Sequence, residues 1–368
     1  MRALTATTIA ALSLCLVNAA HPKSELQALP ATTRELVLER TESGYRWNLI
    51  TTTLPLIGEH QVLVRVRAVS LNHGELDMLQ PDPAHEHAGL IVGSDAAGDV
   101  VAVGNSVHGI HKGERVTSLY FQDWTDGPFT QAIVAGQHGW TSDGVFGDYI
   151  ALDDTSVAPI PIGLTYEEAA TLPTAGLTAW TAVTESRQIS RGDVVLIQGT
   201  GGVSVFSMQF AIVMGARVIV TSSSDQKLQR ALALGAHDGI NYRTTPAWDG
   251  RVLELTGSHG ADLVVDVGGK DTLALSVKSL ADSGVLSVVG GLSGYDGTIS
   301  AMGLLLKRAR VQSIFVGSRA DYLRMSAFIT AHHIHPVVDR VFPLEQYQEA
   351  LQYLKSGGFV GKIVIRWQ

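Results

Sequence analysis

The 368-residue chain is 45% hydrophobic and 17% charged, the balance of a globular protein, and its length suggests about two domains. A net charge of −8 with no run of lysine or arginine argues against nucleic acid and anionic membrane surfaces as partners. The single cysteine, Cys15, excludes an internal disulfide framework and any thiolate-rich zinc site.

At the start of the chain, Arg2 precedes a run over residues 3–17 that is apolar apart from Thr and Ser, followed by Asn18, Ala19 and Ala20. One basic residue, an apolar stretch too short to span as a mature helix, and small residues at a cut site read as a secretory signal over residues 1–19. The competing reading is an upstream start, or a disordered extension, on a cytoplasmic enzyme. Apart from this segment (residues 1–20 as a unit) no membrane contact is expected.

Residues 21–32 form a polar linker, and from Arg34 to about Pro161 the pattern is one of short strands and glycine turns. Residues 61–70 set Val62, Val64 and Val66 against Gln61, Arg65 and Arg67, the period of a half-buried strand. Residues 93–107 and 113–119 are further strands. After Pro161 the pattern changes. Apolar runs at 194–198, 217–221, 263–267, 285–289 and 311–316, with a weaker one at 239–242, alternate with helical segments such as 225–234 and 271–280. Continuous apolar strands separated by helices predict a parallel sheet covered on both faces. Six in this arrangement make an α/β, doubly wound (Rossmann) dinucleotide fold. The chain closes as strand, helix, strand over 337–342, 344–354 and 361–367.

The first apolar run of the sheet stops at Gly199, and Gly199, Thr200, Gly201, Gly202 and Val203 lead into a segment with Val203, Phe206, Phe210 and Val213 on one helical face. Strand, glycine turn and helix N-terminus is the shape of a pyrophosphate site. The spacing departs from G-x-G-x-x-G, and alone it would be an ordinary strand-to-helix turn; its place after the first of six strands makes it a nucleotide loop. Folds that prefer NAD carry an acid at the tip of the second strand. Here that tip is Ser222, Ser223 and Ser224, with Lys227 beyond, and hydroxyls with a cation suit a 2′-phosphate. NADP(H) is therefore the expected cofactor. Asp225 belongs in the first turn of the next helix, where a carboxylate suits the dipole, although a ribose lies within its reach. Two histidine groups, His85 with His87 and His332, His333 and His335, lack a third ligand at fixed spacing and read as solvated loops, so no metal site is expected.

The stretches RAVSLNHGELDM, VGSDAAGDVVAVG, KGERV, EEAATLPTAGLTAW, QGTGGVS, LGAHDGINY, GADLVVDVGG and GKIVI together resemble the medium-chain dehydrogenase/reductase family from about residue 34 to the end. The resemblance implies a mainly-β, GroES-like catalytic domain made of residues 21–160 and 319–368, with the Rossmann domain, residues 161–318, inserted between them and the active site in the cleft. It places Thr178, Val316, Gly317 and Ser318 at the nicotinamide end, Lys227 and Tyr242 around the adenosine phosphate, and Val267, Gly290 and Leu292 at the strand ends. It also implies pairing into a homodimer through the nucleotide domain.

Metal-dependent members of that family hold zinc with two cysteines and a histidine, and the matching positions here are Asn72, Ser94 and Thr174. None is a good zinc ligand. The resemblance is thus to the zinc-free quinone oxidoreductase and enone reductase branches. Without zinc, charge growing on a substrate oxygen must be met by hydrogen-bond donors. That favours a small activated carbonyl, enone or quinone as the acceptor. Asn72 is the first candidate, as a donor to substrate or ribose. His73 is a proton relay or a solvated loop residue. Asp95 belongs to the pocket or merely orients its turn through backbone N–H groups. Tyr120 belongs with Phe121 and Trp124 to a packing cluster or a lid. The alternatives are a zinc-free alcohol dehydrogenase acting on ketones, and a nucleotide-binding protein without catalysis.

Overall fold

The computed structural model describes residues 29–81 and 87–368, so the candidate signal segment and His85 lie outside the described residues. The described chain opens on an antiparallel hairpin of β1 (Thr32–Thr41) and β2 (Gly44–Thr53). It buries Leu36, Leu38 and Trp47 in a core shared with Val62, Val64, Phe146 and Ile363. Then come β3 (Gln61–Leu71), β4 (Asp95–Val103), β5 (Arg115–Ser118), β6 (Tyr149–Asp153) and β7 (Val157–Pro159). The second half contributes β8 (Val194–Gln198), β9 (Arg217–Ser222), β10 (Asp238–Asn241), β11 (Ala261–Asp266), β12 (Leu280–Val288) and β13 (Arg310–Ser313). The chain ends with β14 (Val338–Pro343) and β15 (Lys362–Arg366).

β8 to β13 form one parallel sheet in the order β10-β9-β8-β11-β12-β13. Every residue of β8 and β11 is buried, as expected of strands covered on both faces. The order reverses between β8 and β11, and a sheet of this kind opens a ligand crevice where its strand order reverses. The other strands make a mainly antiparallel sheet, β14-β15-β3-β4-β5-β7, with β6 also on β3. Its two halves are distant in sequence: β15 pairs with β3, joining Ile363 to Leu71.

Several elements depart from the sequence reading. β12 begins at Leu280 rather than near 285, because Ser283 takes a left-handed turn (φ 59°) inside the strand and lets pairing to β11 continue. β13 stops at Ser313, with Val316 beyond it also left-handed. The helix Gly202–Val213 was expected to bury one stripe; Phe206 and Phe210 are buried, but Val213 is 39% exposed and Ser204, Ser207, Met208 and Ala211 are buried as well. This helix packs against the sheet and against the helix Leu177–Thr184, so it is covered on more than one side.

The two sheets meet at the glycine turn. Gly361, at φ 90°, donates its N–H to the carbonyl of Thr200 at 3.0 Å and delivers the next residue, Lys362, beneath the turn. A Cβ at Gly202 would lie 2.5 Å from Lys362 Cδ, so the missing side chain is what lets the lysine pass.

Candidate active site

The turn after β8 has the geometry of a phosphate cradle. Gly199 is left-handed (φ 75°) and donates to the carbonyl of Thr221 at 2.8 Å, while Ser204 Oγ donates to the carbonyl of Gln198 at 2.7 Å. Thr200 is buried, and a Cβ on Gly201 would meet nothing within 4 Å, so this face of the turn is open. The following amides, from Gly202 and Val203 on, begin a helix and carry its partial positive charge. These residues fit a dinucleotide.

At the adenosine end, Ser222 is buried at the tip of β9 with its Oγ unpartnered, and Ser223 is half-buried. Ser224 caps the helix Asp225–Ala233 by accepting from the Lys227 N–H. Asp225 accepts from Asn241 Nδ2 at 2.7 Å, a partner that accounts for its carboxylate without a ribose. Lys227 Nζ donates to the carbonyl of Gly357 at 2.9 Å. Burial, with the field of Arg243, holds its ammonium below the usual lysine range. Tyr242 stands 42% exposed beside this group.

At the nicotinamide end, Thr178 Oγ1 donates to the carbonyl of Thr174 at 2.6 Å and Thr181 Oγ1 to that of Val316 at 2.6 Å. Val316 is a buried β-branched residue at φ 58°, a conformation that costs about 1–3 kcal/mol. Gly317 leaves room for Thr181, since its Cβ would sit 2.8 Å from Thr181 Cγ2. Ser318 and Asp321 close a capping box on the next helix. Val267 accepts from the Leu292 N–H at 3.2 Å, Gly290 packs against Val267, and Leu292 is 58% exposed.

The polar centre is assembled from four chain segments. Asn72 Nδ2 donates to Asp95 Oδ2 at 3.0 Å. Asp95 Oδ1 accepts from Thr174 Oγ1 at 2.6 Å and Ser94 Oγ at 3.2 Å, and the two hydroxyl oxygens are 3.0 Å apart. Lys362 Nζ donates to Asn72 Oδ1 at 2.5 Å and to the carbonyl of Leu71 at 2.6 Å, and lies 3.6 Å from Asp95 Oδ2. Glu75 accepts from the Asn72 N–H. Asp95, Lys362, Ser94 and Glu75 are buried, while Asn72 and Thr174 are only half-buried and give the set its access to solvent. Burial pushes the Asp95 carboxyl up and the Lys362 ammonium down, and their attraction opposes both. Burial and the nearby Asp95 charge push Glu75 up to about 8, against the pull of Lys362 and the Asn72 N–H.

Asn72 and Asp95 are thus brought together, with Ser94 and Thr174. The Asp95 carboxylate bonds side chains rather than orienting its turn through backbone N–H groups. His73 does not join them: its side chain is 53% exposed and faces Asp77 at 3.8 Å. The Tyr120 hydroxyl hydrogen-bonds Gln137 Nε2, and burial lifts it well above the usual phenol range. Its ring meets Phe121 and Phe315 edge-on at 4.8 and 6.2 Å. The sequence reading missed Lys362, Glu75 and Arg243. A lone lysine at the head of the apolar run of β15, and a glutamate three residues after Asn72, were the available signals.

Zinc does not fit this centre. Asn72, Ser94 and Thr174 offer no thiolate or imidazole, their polar atoms bond one another and Asp95, and an ammonium sits on Asn72 Oδ1. Among the described residues no group of three or more His, Cys, Asp or Glu could hold a metal ion.

Two family models match the chain: an alcohol dehydrogenase GroES-like domain over residues 58–162 and a zinc-binding dehydrogenase over residues 202–331. A zinc-type alcohol dehydrogenase-like protein of Schizosaccharomyces pombe is 41% identical over 316 residues, covering 83% of this chain and 90% of its own length. A solved structure of a candidate alcohol dehydrogenase from Sinorhizobium meliloti is 38% identical, with a TM-score of 0.87, covering 92% of this chain and all of that one. An NAD-dependent alcohol dehydrogenase structure is 31% identical, with a TM-score of 0.81 and 91% of this chain covered against all of its own.

Proposed function

Because the chain belongs to the medium-chain dehydrogenase/reductase family, we propose that it is an NADPH-dependent oxidoreductase that reduces a small activated carbonyl, enone or quinone without zinc. The observation that carries this reading is the centre itself: the half-buried Asn72 and Thr174 are neutral donors, the amide through its second Nδ2 hydrogen and the hydroxyl by turning from Asp95, with the buried Lys362 and Asp95 behind them. Such donors stabilise a substrate oxygen as it gains charge. Nothing in the set polarises an unactivated alcohol as strongly as a metal does.

A bound nicotinamide supplies the hydride, and the protein supplies position and electrostatics. The turn from Gly199 to Val203 holds the pyrophosphate. Thr178, Val316 and Gly317 shape the nicotinamide end, and Val267, Gly290 and Leu292 line the strand ends. The phosphate preference is supported by a β9 tip made of serines, by Asp225 bonded to Asn241, and by the cations Lys227 and Arg243. The similarity to an NAD-dependent structure makes this preference the point to test first.

The chain also pairs with a second copy through β13. All four residues of this edge strand are exposed, and Met302, Leu305 and Leu306 on the helix just before it in the chain are 62%, 68% and 73% exposed. Light scattering is expected to give the mass of a dimer.

Titration with NADPH and NADH, metal analysis of the same sample, and turnover on quinones, enones and simple ketones test the whole reading. Tight NADPH binding and reduction of quinones or enones are expected. Stoichiometric zinc lost together with activity, or equal use of both cofactors, contradicts it. Preference for simple ketones would favour the alcohol dehydrogenase reading, and binding without turnover a nucleotide-binding protein.

A further inference from the structure

Behind the polar centre lies a cavity of about 10 Å³, lined by Trp47, Glu75, Ser94, His138 and Trp140 among others, with room for about one water molecule. Two of its lining side chains carry buried polar atoms without any partner: Trp47 Nε1, a donor, and His138 Nε2. His138 is 3% exposed, and its Nδ1 lies 2.9 Å from the carbonyl of Asp143, so Nδ1 carries the proton and Nε2 is left as an acceptor. Burial keeps this imidazole neutral by lowering its proton affinity. A water in the cavity would answer both orphans, accepting a hydrogen bond from the indole N–H and donating one to the imidazole Nε2. Buried polar groups rarely go unpaired, and such waters typically hold two to four partners.

We propose that this cavity holds an ordered water joining the carboxyl of Glu75 to the hydroxyl of Ser94, so that Glu75 is the proton reserve of the reaction at Asn72 and Thr174. The proposal rests on the reductase reading for its purpose and on the cavity for its geometry. Hydride brings both electrons to the electron-poor carbon and leaves the substrate one proton short. Thr174 O–H, turned from Asp95 onto the substrate oxygen, supplies that proton. Its oxygen is refilled by Ser94, whose hydroxyl 3.0 Å away turns from Asp95 in the same way, Ser94 by the cavity water, and the water by the carboxyl O–H of Glu75. Glu75 ends as a carboxylate, held by the Asn72 N–H and by Lys362 until solvent returns the proton.

The groups facing Glu75 account for a proton being kept there. Asp95 on β4 opposes its ionisation; Lys362 on β15 favours it; neutral His138 and the un-ionised Tyr120 come from the segment between β5 and β6. His73 and Asp77, on its own turn, point to solvent. Glu75 touches neither substrate nor cofactor, so its role is to load Ser94 and Thr174.

The test uses the full chain in three readouts. A high-resolution crystal structure is expected to show one water within hydrogen-bond distance of Glu75 and His138; a dry cavity overturns the proposal. Infrared difference spectra are expected to show a buried carboxylic acid C=O band that fades as pH rises through about 8, is absent in Glu75→Gln and shifts in the milder Trp47→Phe. A band that titrates in the ordinary carboxylate range overturns it. With menadione and NADPH, kcat is expected to fall above about pH 8, Glu75→Gln to lose that limb, and Ser94→Ala to lower kcat about 100-fold with KM unchanged. An unchanged limb in Glu75→Gln overturns the proton reserve. No turnover on any panel, with water and band both present, overturns the reductase reading and leaves the loaded acid supported.

Discussion

Asp95 and Asp266 are both fully buried carboxylates at strand ends, and the molecule satisfies them in opposite ways. Asp266, closing β11, accepts from the N–H groups of Gly268 and Gly269, from Thr272 Oγ1 and Ser276 Oγ, and from Gln198 Nε2. All but Gln198 lie within ten residues of it, and each donor is neutral. Such a carboxylate is a clamp that shapes the turn behind the nucleotide crevice. Asp95, opening β4, has Ser94 as its one sequence neighbour; its other partners come from residues 72, 174 and 362, and one of them is charged. Two of those donors also reach solvent. A carboxylate fed from distant segments, with half its donors open to the outside, is arranged for chemistry rather than for folding.

Substitutions at the ion pair are the sharpest way to break that contrast. Lys362→Met leaves Asp95 buried without its counter-charge and is expected to cost about 3–5 kcal/mol of stability, read from urea unfolding. Adding Asp95→Asn should restore much of the loss, because no buried charge then remains. A double variant as unstable as the single one would mean that packing of the lysine stem, not charge, is what matters. At the other site Asp266→Asn swaps two acceptor oxygens for one and leaves donors unpaired, with an expected cost of about 1–3 kcal/mol. Its kcat should keep the wild-type pH dependence, since that clamp shares no hydrogen bond with the polar centre.

A third prediction concerns Glu75 and pH. Its carboxyl is protonated in the folded chain up to about 8 but ionises in the ordinary carboxylate range once unfolded. The folded state therefore holds the extra proton between those limits, and stability falls as pH rises through them, by at most about 1.4 kcal/mol per unit. Thermal unfolding followed from pH 5 to 8 should show this slope, and Glu75→Gln should flatten it. A slope unchanged in the variant would place the linkage elsewhere.

The sequence made one half of the molecule far more legible than the other. The parallel sheet announces itself because its strands are buried on both faces: VVLIQ and ADLVVD leave little room for another reading once helices separate them. Local spacing likewise marks the glycine turn. The β1–β2 hairpin was not resolved, because Leu36, Val37 and Leu38 are all buried and so break the alternation that marks a half-exposed strand. The ends of β12 and β13 were misplaced because Ser283 and Val316 adopt left-handed turns that side chains of those types do not advertise. The polar centre was legible only in pieces. Asn72, Ser94, Asp95 and Thr174 could be named by resemblance, yet Lys362 is 290 residues from Asn72 and meets it only because β15 pairs with β3. Glu75 and His138 line one cavity from two separate segments, and no local pattern could join them.

The smallest expected effect lies at the adenosine end, where the cation is neither a clamp nor part of a buried pair. Lys227 is half-buried, bonds only a carbonyl through its ammonium, and has Arg243 rather than an acid near it. Two neighbouring cations with no carboxylate between them repel each other in the free protein, and a 2′-phosphate relieves that repulsion. Lys227→Ala should then weaken NADPH binding about 10-fold, near the lower end of what a charge-assisted hydrogen bond contributes, because solvent screens the site. NADH binding should hardly change, and the gap between the two cofactors should narrow further as salt is raised. Lys362→Met should by contrast lose stability at any salt concentration, since its partner is out of reach of screening ions. If Lys227→Ala weakened both cofactors equally, the lysine would serve the fold through Gly357 and the serines of the β9 tip would have to hold the phosphate without it.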